Sequence, residues 1–167
     1  MISRVDDKML GHLRYEMDCF TSCVDMILSR RINQRPLGNF TLEILLLHYR
    51  SLWDFFNYPP KKKWNTDVDA GDFVPAGTLS SLCADPKLKE IRKSCDVALA
   101  HLSTDRLDPG FHAGKVRFEE IRLMSAYIES LAEAFHSALT TLQREALRNP
   151  LGPGFSPYAK PPEKWGM

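Results

Sequence analysis

The chain lacks several features that define large classes of protein. Its formal charge at pH 7 is only +1, from 22 lysine and arginine residues against 21 aspartate and glutamate residues. Bulk electrostatics therefore does not require nucleic acid or an anionic membrane as a partner. The most apolar run, LEILLLHYRSLWDFF, is too short and too often broken by charge to span a bilayer, and the N-terminus has no apolar segment typical of a secretory signal. We expect a cytoplasmic protein with no membrane association.

The chain also lacks most motifs that announce a metal or a cofactor. It has four cysteines but no CxxC pair. Cys19 and Cys23, four residues apart on a predicted helix, fit small apolar fillers better than metal ligands, because no nearby Cys or His completes a set. The single Glu-x-x-His, at 133–136, has none of the partner glutamates of a di-metal bundle site. Glycine loops for phosphate and nucleophile elbows are absent, so we expect no metal and no cofactor.

Helical periodicity dominates what is present. Apolar residues recur every three or four positions along four stretches. This spacing predicts helices over about 5–33, 39–57 and 115–148, and a third helix that starts at Asp85 and Pro86 and continues through Leu102. The apolar residues of the second helix are so numerous that we expect it to be buried over much of its surface.

The chain length and the segments between the predicted helices indicate the domain organisation. The 167 residues suit one compact domain, and residues 58–84 form a connection of a length that is uncommon without a role. We therefore predict an all-α, four- to five-helix up-and-down bundle over 1–148, with a long loop between the second and third main helices. A tail rich in proline and glycine follows over 149–167.

His101 is the first candidate site residue. It lies where the predicted third helix runs into a polar exit, with Asp96 before it and Asp105 and Arg106 after it. An imidazole acts as acid or base near neutral pH, and a neighbouring carboxylate or guanidinium tunes it. The alternative is a histidine on the flank of the helix that only helps the helix to pack.

Three polar residues interrupt the apolar second helix: His48, Arg50 and Asp54. Arg50 and Asp54 are four residues apart, so their side chains can pair on one face of the helix. A charged pair among leucine, tryptophan and phenylalanine is costly unless its geometry is good. The pattern indicates either a structural pair or a polar site between the second and third helices.

A short basic run follows the second helix. Lys61, Lys62 and Lys63 precede Trp64, and this combination can contact a phosphate backbone and stack a base. The alternative is a solvated loop, because the run is short and contains no arginine.

Three segments resemble the small bacterial helical proteins grouped around the HEPN domain, especially members related to abortive-infection proteins. These are HYRSLWDFF on the second helix, DVDAGDFV in the long loop and DVALAHLS on the third helix, within residues 40–135. The resemblance implies a helical bundle that pairs as a dimer. It also implies that His101 is the motif histidine of metal-independent ribonucleases, whose arginine about five residues upstream is replaced here by Asp96. An aspartate repels phosphate where an arginine would hold it.

Two main hypotheses follow. The first is a dimerising HEPN-like module, non-catalytic or of unproven activity, that binds a protein or nucleic-acid partner. The alternative is a metal-independent endoribonuclease of a toxin–antitoxin or phage-defence system, with His101 as acid or base and Arg50 or Arg106 stabilising the phosphorane charge. A weaker third hypothesis is a bundle that binds a metal or cofactor through His48, His101 and His136.

Overall fold

The fold is that of a computed structural model, which describes residues 4–32, 37–57, 68–75, 77–79, 82, 84–100 and 116–148. At 4–7, 94 and 96–100 only the backbone is described. These residues form five α-helices and no strand, which confirms the predicted all-α fold. The helices are α1 (Arg4–Leu28), α2 (Leu37–Asn57), α3 (Pro86–Ala100), α4 (Phe118–Ala138) and α5 (Thr141–Arg148), with a 3₁₀ turn at Ala70–Asp72.

The end of α1 and the division of the last predicted helix are the main departures from the prediction. Helix α1 ends at Leu28, five residues before the predicted end, and Arg30 beyond it has a positive φ of 54°. The single helix predicted over 115–148 is two helices, because Leu139 adopts an extended backbone with φ −67° and ψ 148°. A new helix then starts at Thr141.

The chain divides into two compact units, Met1–Tyr15 with Thr140–Met167, and Glu16–Leu139. In the described part of the first unit, which holds the start of α1 and all of α5, three leucines are buried: Leu10, Leu13 and Leu147. The rings of His12 and Tyr15 stack there, with centroids 6.0 Å apart. The predicted tail, 149–167, lies outside the described residues.

The second unit has a core of aliphatic and aromatic side chains from four helices. Helix α2 lies against both α3 and α4. The ring of Tyr49 on α2 packs against that of Phe20 on α1, with the ring centroids 6.2 Å apart. The largest fully buried side chains of this unit are Tyr49, Phe20, Phe135, Leu45, Leu52, Leu88, Ile121, Met124, Leu131 and Cys95. A core of this kind supplies most of the favourable free energy of folding.

The described part of the long connection belongs to this core. Asp69 caps the 3₁₀ turn, because its carboxylate accepts a hydrogen bond from Gly71 N at 2.8 Å. The turn presents Phe73, whose ring lies 6.1 Å from that of Phe55 and 6.2 Å from that of Phe135. The Phe73 and Phe135 rings meet edge to face, at an interplanar angle of 80°, and aromatic contacts of this kind add to the gain from burial. The connection therefore packs on α2 and α4 through its aromatic side chain.

The first turns of α3 and α4 are tied together by Glu120. Its carboxylate accepts a hydrogen bond from Arg117 N at 3.0 Å and pairs with the Lys87 ammonium at 3.1 Å. Burial on its own raises the pKa of this carboxyl, but the Arg117 amide and the Lys87 ammonium outweigh it and hold the pKa below its ordinary value. A carboxylate at the start of α4 also suits the positive end of the helix dipole.

Candidate functional site

Helix α2 carries apolar residues on two faces, and only one face is buried. The inner face packs in the core through Thr41, Leu45, Leu46, His48, Tyr49, Leu52 and Phe56. A second row along the helix is exposed by 46 to 56% of each residue's surface and consists of Leu37, Phe40, Ile44 and Leu47. We call these four residues the outer stripe. The expectation that α2 is buried over much of its surface is wrong for this half of the helix.

The outer stripe is spaced by three, four and three residues, which is the spacing of a seam along which one helix packs against another. Single exposed apolar residues are ordinary on protein surfaces, whereas large contiguous apolar patches are typical of interaction sites. The stripe occupies the first half of α2. The second half is held by polar contacts to α3 and α4.

Asp54 and Arg92 form the strongest of these polar contacts. The Arg92 guanidinium on α3 donates three hydrogen bonds to the Asp54 carboxylate, from Nε at 3.1 Å and from Nη2 at 2.7 and 2.8 Å. The Arg92 side chain is 15% exposed and that of Asp54 is 40% exposed. A bidentate pair of this geometry fixes the angle between two helices better than a lysine would.

Tyr127 ties α4 to the end of α2. Its hydroxyl donates to Asn57 Oδ1 at 2.6 Å, and Asn57 Nδ2 in turn donates to the Trp53 carbonyl at 3.2 Å. The rings of Trp53 and Tyr127 lie 5.4 Å apart. These bonds satisfy polar atoms that would otherwise be costly to bury.

Tyr49 forms a similar bond to α3. Its hydroxyl donates to the Leu88 carbonyl at 3.4 Å in a buried position. Burial, with Cys95 and Tyr127 nearby, raises the pKa of Tyr49, so the phenol keeps the proton that it donates. Helix α2, which carries the outer stripe, is thus held in place by hydrogen bonds and packing contacts to α3 and α4.

His48 faces α1 instead of the predicted polar site. Its Nδ1 lies 2.7 Å from Glu16 Oε2, and His48 is buried with 8% of its surface exposed. Among the residues predicted to form a polar site between the second and third helices, His48 and Asp54 are therefore bonded to different helices. The partners Glu16 and Arg92 were both missed by the sequence analysis.

The remaining predicted site residues are only partly described. Arg50 is half-buried on α2, and Asp96 lies on α3, where only its backbone is described. The other candidates lie outside the described residues, and their roles stay predictions: His101, Asp105, Arg106, Lys61, Lys62, Lys63 and Trp64.

No group of three or more histidine, cysteine, aspartate or glutamate side chains in the described ranges is arranged to hold a metal ion. His136 lies half-buried on α4. Cys23 is buried, and burial, with Cys19 nearby, raises the pKa of its thiol, which fits the predicted apolar filler. None of the described helices combines the length and the apolar character needed to cross a membrane.

Comparison with protein-family models, with curated proteins and with solved structures finds no match to this chain. The outer stripe and the contacts that anchor α2 are therefore the features on which a function is proposed.

Proposed function

We propose that the chain is a helical interaction module that works as a homodimer, and that the outer stripe of α2 is its contact surface. The observation that supports the proposal is the exposure of Leu37, Phe40, Ile44 and Leu47 at seam spacing on an anchored helix. Burying apolar surface of this kind on association is the dominant favourable term in most protein interfaces.

A second copy of the chain fits this surface by symmetry. In a two-fold dimer the same patch occurs on both subunits and must complement itself, and an apolar row at alternating spacings of three and four does so when two helices interlock. The stripe contains no lysine or arginine, so it lacks the charge that binds a phosphate backbone. A dimeric helical module is also what the resemblance to HEPN-like proteins implies, without requiring that it be catalytic.

The test is a single substitution at the stripe residue that lies midway along α2. We expect the wild-type chain to be a dimer by sedimentation equilibrium and Leu47→Glu to be a monomer. A residue that acts as a hot spot of an interface contributes about 2 kcal/mol or more, and symmetry counts the loss twice. The dissociation constant should therefore rise by about a hundredfold or more.

Leu142→Glu is the matched control. Leu142 on α5 is an exposed leucine, at 60%, that does not belong to the outer stripe, so this variant should dimerise as the wild type does. Circular dichroism checks that both variants keep their helices. The proposal fails if the wild-type chain is a monomer at about 100 µM, where a dimer of micromolar affinity would be largely formed. It fails equally if Leu47→Glu leaves the dimer intact.

A further inference from the structure

The outer stripe on its own is small for a dimer interface. A large aromatic side chain buries about 150–250 Å² when it is fully covered, and each of the four stripe residues is only about half exposed. Together they supply roughly half of the about 800 Å² that a standard interface buries on each partner. A stable dimer must therefore use surface beside the stripe, and the helix that borders the stripe determines which surface this is.

Helix α1 borders the stripe, because α1 and α2 lie side by side and run in opposite directions. Glu16 on α1 is bonded to His48 on α2 at 2.7 Å. Beyond the end of α1, the Ile32 carbonyl oxygen lies 3.8 Å from the position that a Cβ of Gly38 would take. At a rise of about 1.5 Å per residue, Met26 lies about 15 Å beyond Glu16 along α1. Gly38 lies about 15 Å before His48 along α2, so Met26 is level with the start of the outer stripe.

Cys19 and Met26 also lie on the same side of the helix pair as the stripe. Successive residues of an α-helix are rotated by about 100°, which places Cys19 and Met26 about 60° and 80° from Glu16 around α1. Phe20, which packs in the core, is rotated from Glu16 in the opposite sense. The stripe residues are rotated by about 20° to 100° from His48, again away from the core. Because antiparallel helices turn in opposite senses when seen from one end, these rotations lead to the same side of the pair.

The exposures on α1 agree with this placement. Met26 is 40% exposed, Cys19 is half-buried, and Cys23, which lies closer to the line between the two helices, is buried. Methionine and aromatic residues are enriched in interfaces, and the unbranched methionine side chain adapts to an irregular partner surface. Met26 therefore continues the apolar surface of the stripe onto α1.

We infer that the contact surface of the dimer is a face of two helices, the outer stripe of α2 together with Met26 and Cys19 of α1, and that this face packs against the same face of a second copy. The inference rests on the proposed homodimer and adds the second helix of its contact surface. Each copy then contributes two helices to the interface, which brings the buried area closer to that of a standard interface.

Substitution of Met26 tests the role of α1. Met26→Glu places a charge in the interface on both copies, and we expect it to raise the dissociation constant by about tenfold or more. Met26→Leu keeps the apolar volume and should dimerise as the wild type does. Thr21→Glu puts the same charge on the opposite, exposed face of α1 and should leave the dimer intact. Sedimentation equilibrium measures these proteins, and circular dichroism checks that each is folded.

Alkylation of Cys19 is a second measurement, which leaves the sequence unchanged. The reaction of a thiol depends on its access to the reagent, so burial of Cys19 in the dimer should slow its reaction with iodoacetamide. At about 100 µM protein, where a dimer of micromolar affinity is largely formed, Cys19 should react about tenfold more slowly than at a concentration where the chain is monomeric. In Leu47→Glu its rate should be the same at both concentrations. Mass spectrometry with fragmentation distinguishes Cys19 from Cys23, which is buried and should react slowly throughout.

The possible results separate the two proposals. A monomeric wild type, or a dimer that survives Leu47→Glu, overturns the homodimer and the two-helix face together. A dimer that Leu47→Glu dissociates, but that Met26→Glu leaves intact, overturns the role of α1 alone. Equal alkylation of Cys19 in the dimer and in the monomer does the same, and this result decides if Met26→Glu does not fold. Dissociation by Met26→Glu together with protection of Cys19 supports the inference.

Discussion

At the scale of single residues, the Asp54–Arg92 pair is unequal in its burial. The Arg92 guanidinium is largely buried and the Asp54 carboxylate is 40% exposed. Loss of the carboxylate leaves a buried positive charge without its bidentate acceptor, which is costly. Loss of the guanidinium leaves a carboxylate that reaches water. The two partners should therefore respond differently to substitution.

We predict that Asp54→Asn lowers the free energy of unfolding by about 2 kcal/mol, and that Arg92→Met lowers it by less than half as much. Urea denaturation followed by circular dichroism measures both. The control is Glu90→Gln on α3. The Glu90 side chain is 74% exposed, and its Oε2 lies as far as 4.0 Å from Lys87 Nζ. Such a surface pair is worth about 0–1 kcal/mol. Equal losses for Asp54→Asn and Arg92→Met would contradict the argument from unequal burial.

The sequence indicated which polar residues of α2 form contacts inside the protein. It did not indicate the partners of these contacts. His48 and Asp54 stood out because they interrupt an apolar helix, and both are bonded in the structure. Their partners lie 32 and 38 residues away along the chain. Spacing along one helix reveals only neighbours three or four residues apart, so a single sequence suggested Arg50 for Asp54 and could not suggest Arg92. Which helices touch is a property of the assembled core.

At the scale of elements, the sequence contains a signal for the break between α4 and α5, although a single helix was predicted there. Thr140 and Gln143 have the spacing of a capping box. In the structure Thr140 N donates to Gln143 Oε1 at 2.9 Å, and Gln143 N donates to Thr140 Oγ1 at 3.3 Å. The apolar periodicity continued through this point and favoured one helix. Leu142 continues this apolar spacing but is 60% exposed, whereas Leu139 is buried.

Because the Thr140 hydroxyl is the acceptor for the Gln143 amide in the first turn of α5, Thr140→Ala should destabilise this helix by about 1 kcal/mol. Hydrogen exchange of the α5 amides measures the loss, with about fivefold less protection expected at this cost, since 1.4 kcal/mol is tenfold. Thr141→Ala is the matched control, because Thr141 is the first residue of α5 and takes no part in the box. Equal protection of α5 in the two variants would show that the box does not hold the helix start.

The outer stripe shows a second limit of sequence patterns at the scale of elements. The inner residues of α2, such as Leu45, Tyr49 and Leu52, follow the apolar spacing that predicted this helix and are buried. Leu37, Phe40, Ile44 and Leu47 are equally apolar, and this many apolar residues favoured a helix that is buried over much of its surface. Only the positions of the neighbouring helices decide which of two apolar rows stays exposed.

At the scale of the whole molecule, the homodimer and the ribonuclease alternative are separate questions. The dimer rests on the outer stripe, which is described, whereas the ribonuclease alternative depends on His101, which lies outside the described residues. A whole-molecule measurement that does not involve RNA is therefore the clearest test of the module itself.

If the native state is a dimer, its thermal stability must depend on protein concentration, because association binds the folded chain and not the unfolded one. An enthalpy of unfolding of about 0.7 kcal/mol per residue implies that the midpoint temperature rises by about 2 °C for each tenfold increase in concentration, for concentrations above the dissociation constant. Scanning calorimetry from micromolar to submillimolar protein measures this slope. Leu47→Glu should abolish the slope and lower the midpoint, whereas Leu142→Glu should keep the wild-type slope. A wild-type midpoint that stays constant over this range would mean that the folded chain is stable without a second copy, and the outer stripe would then need a partner of another kind.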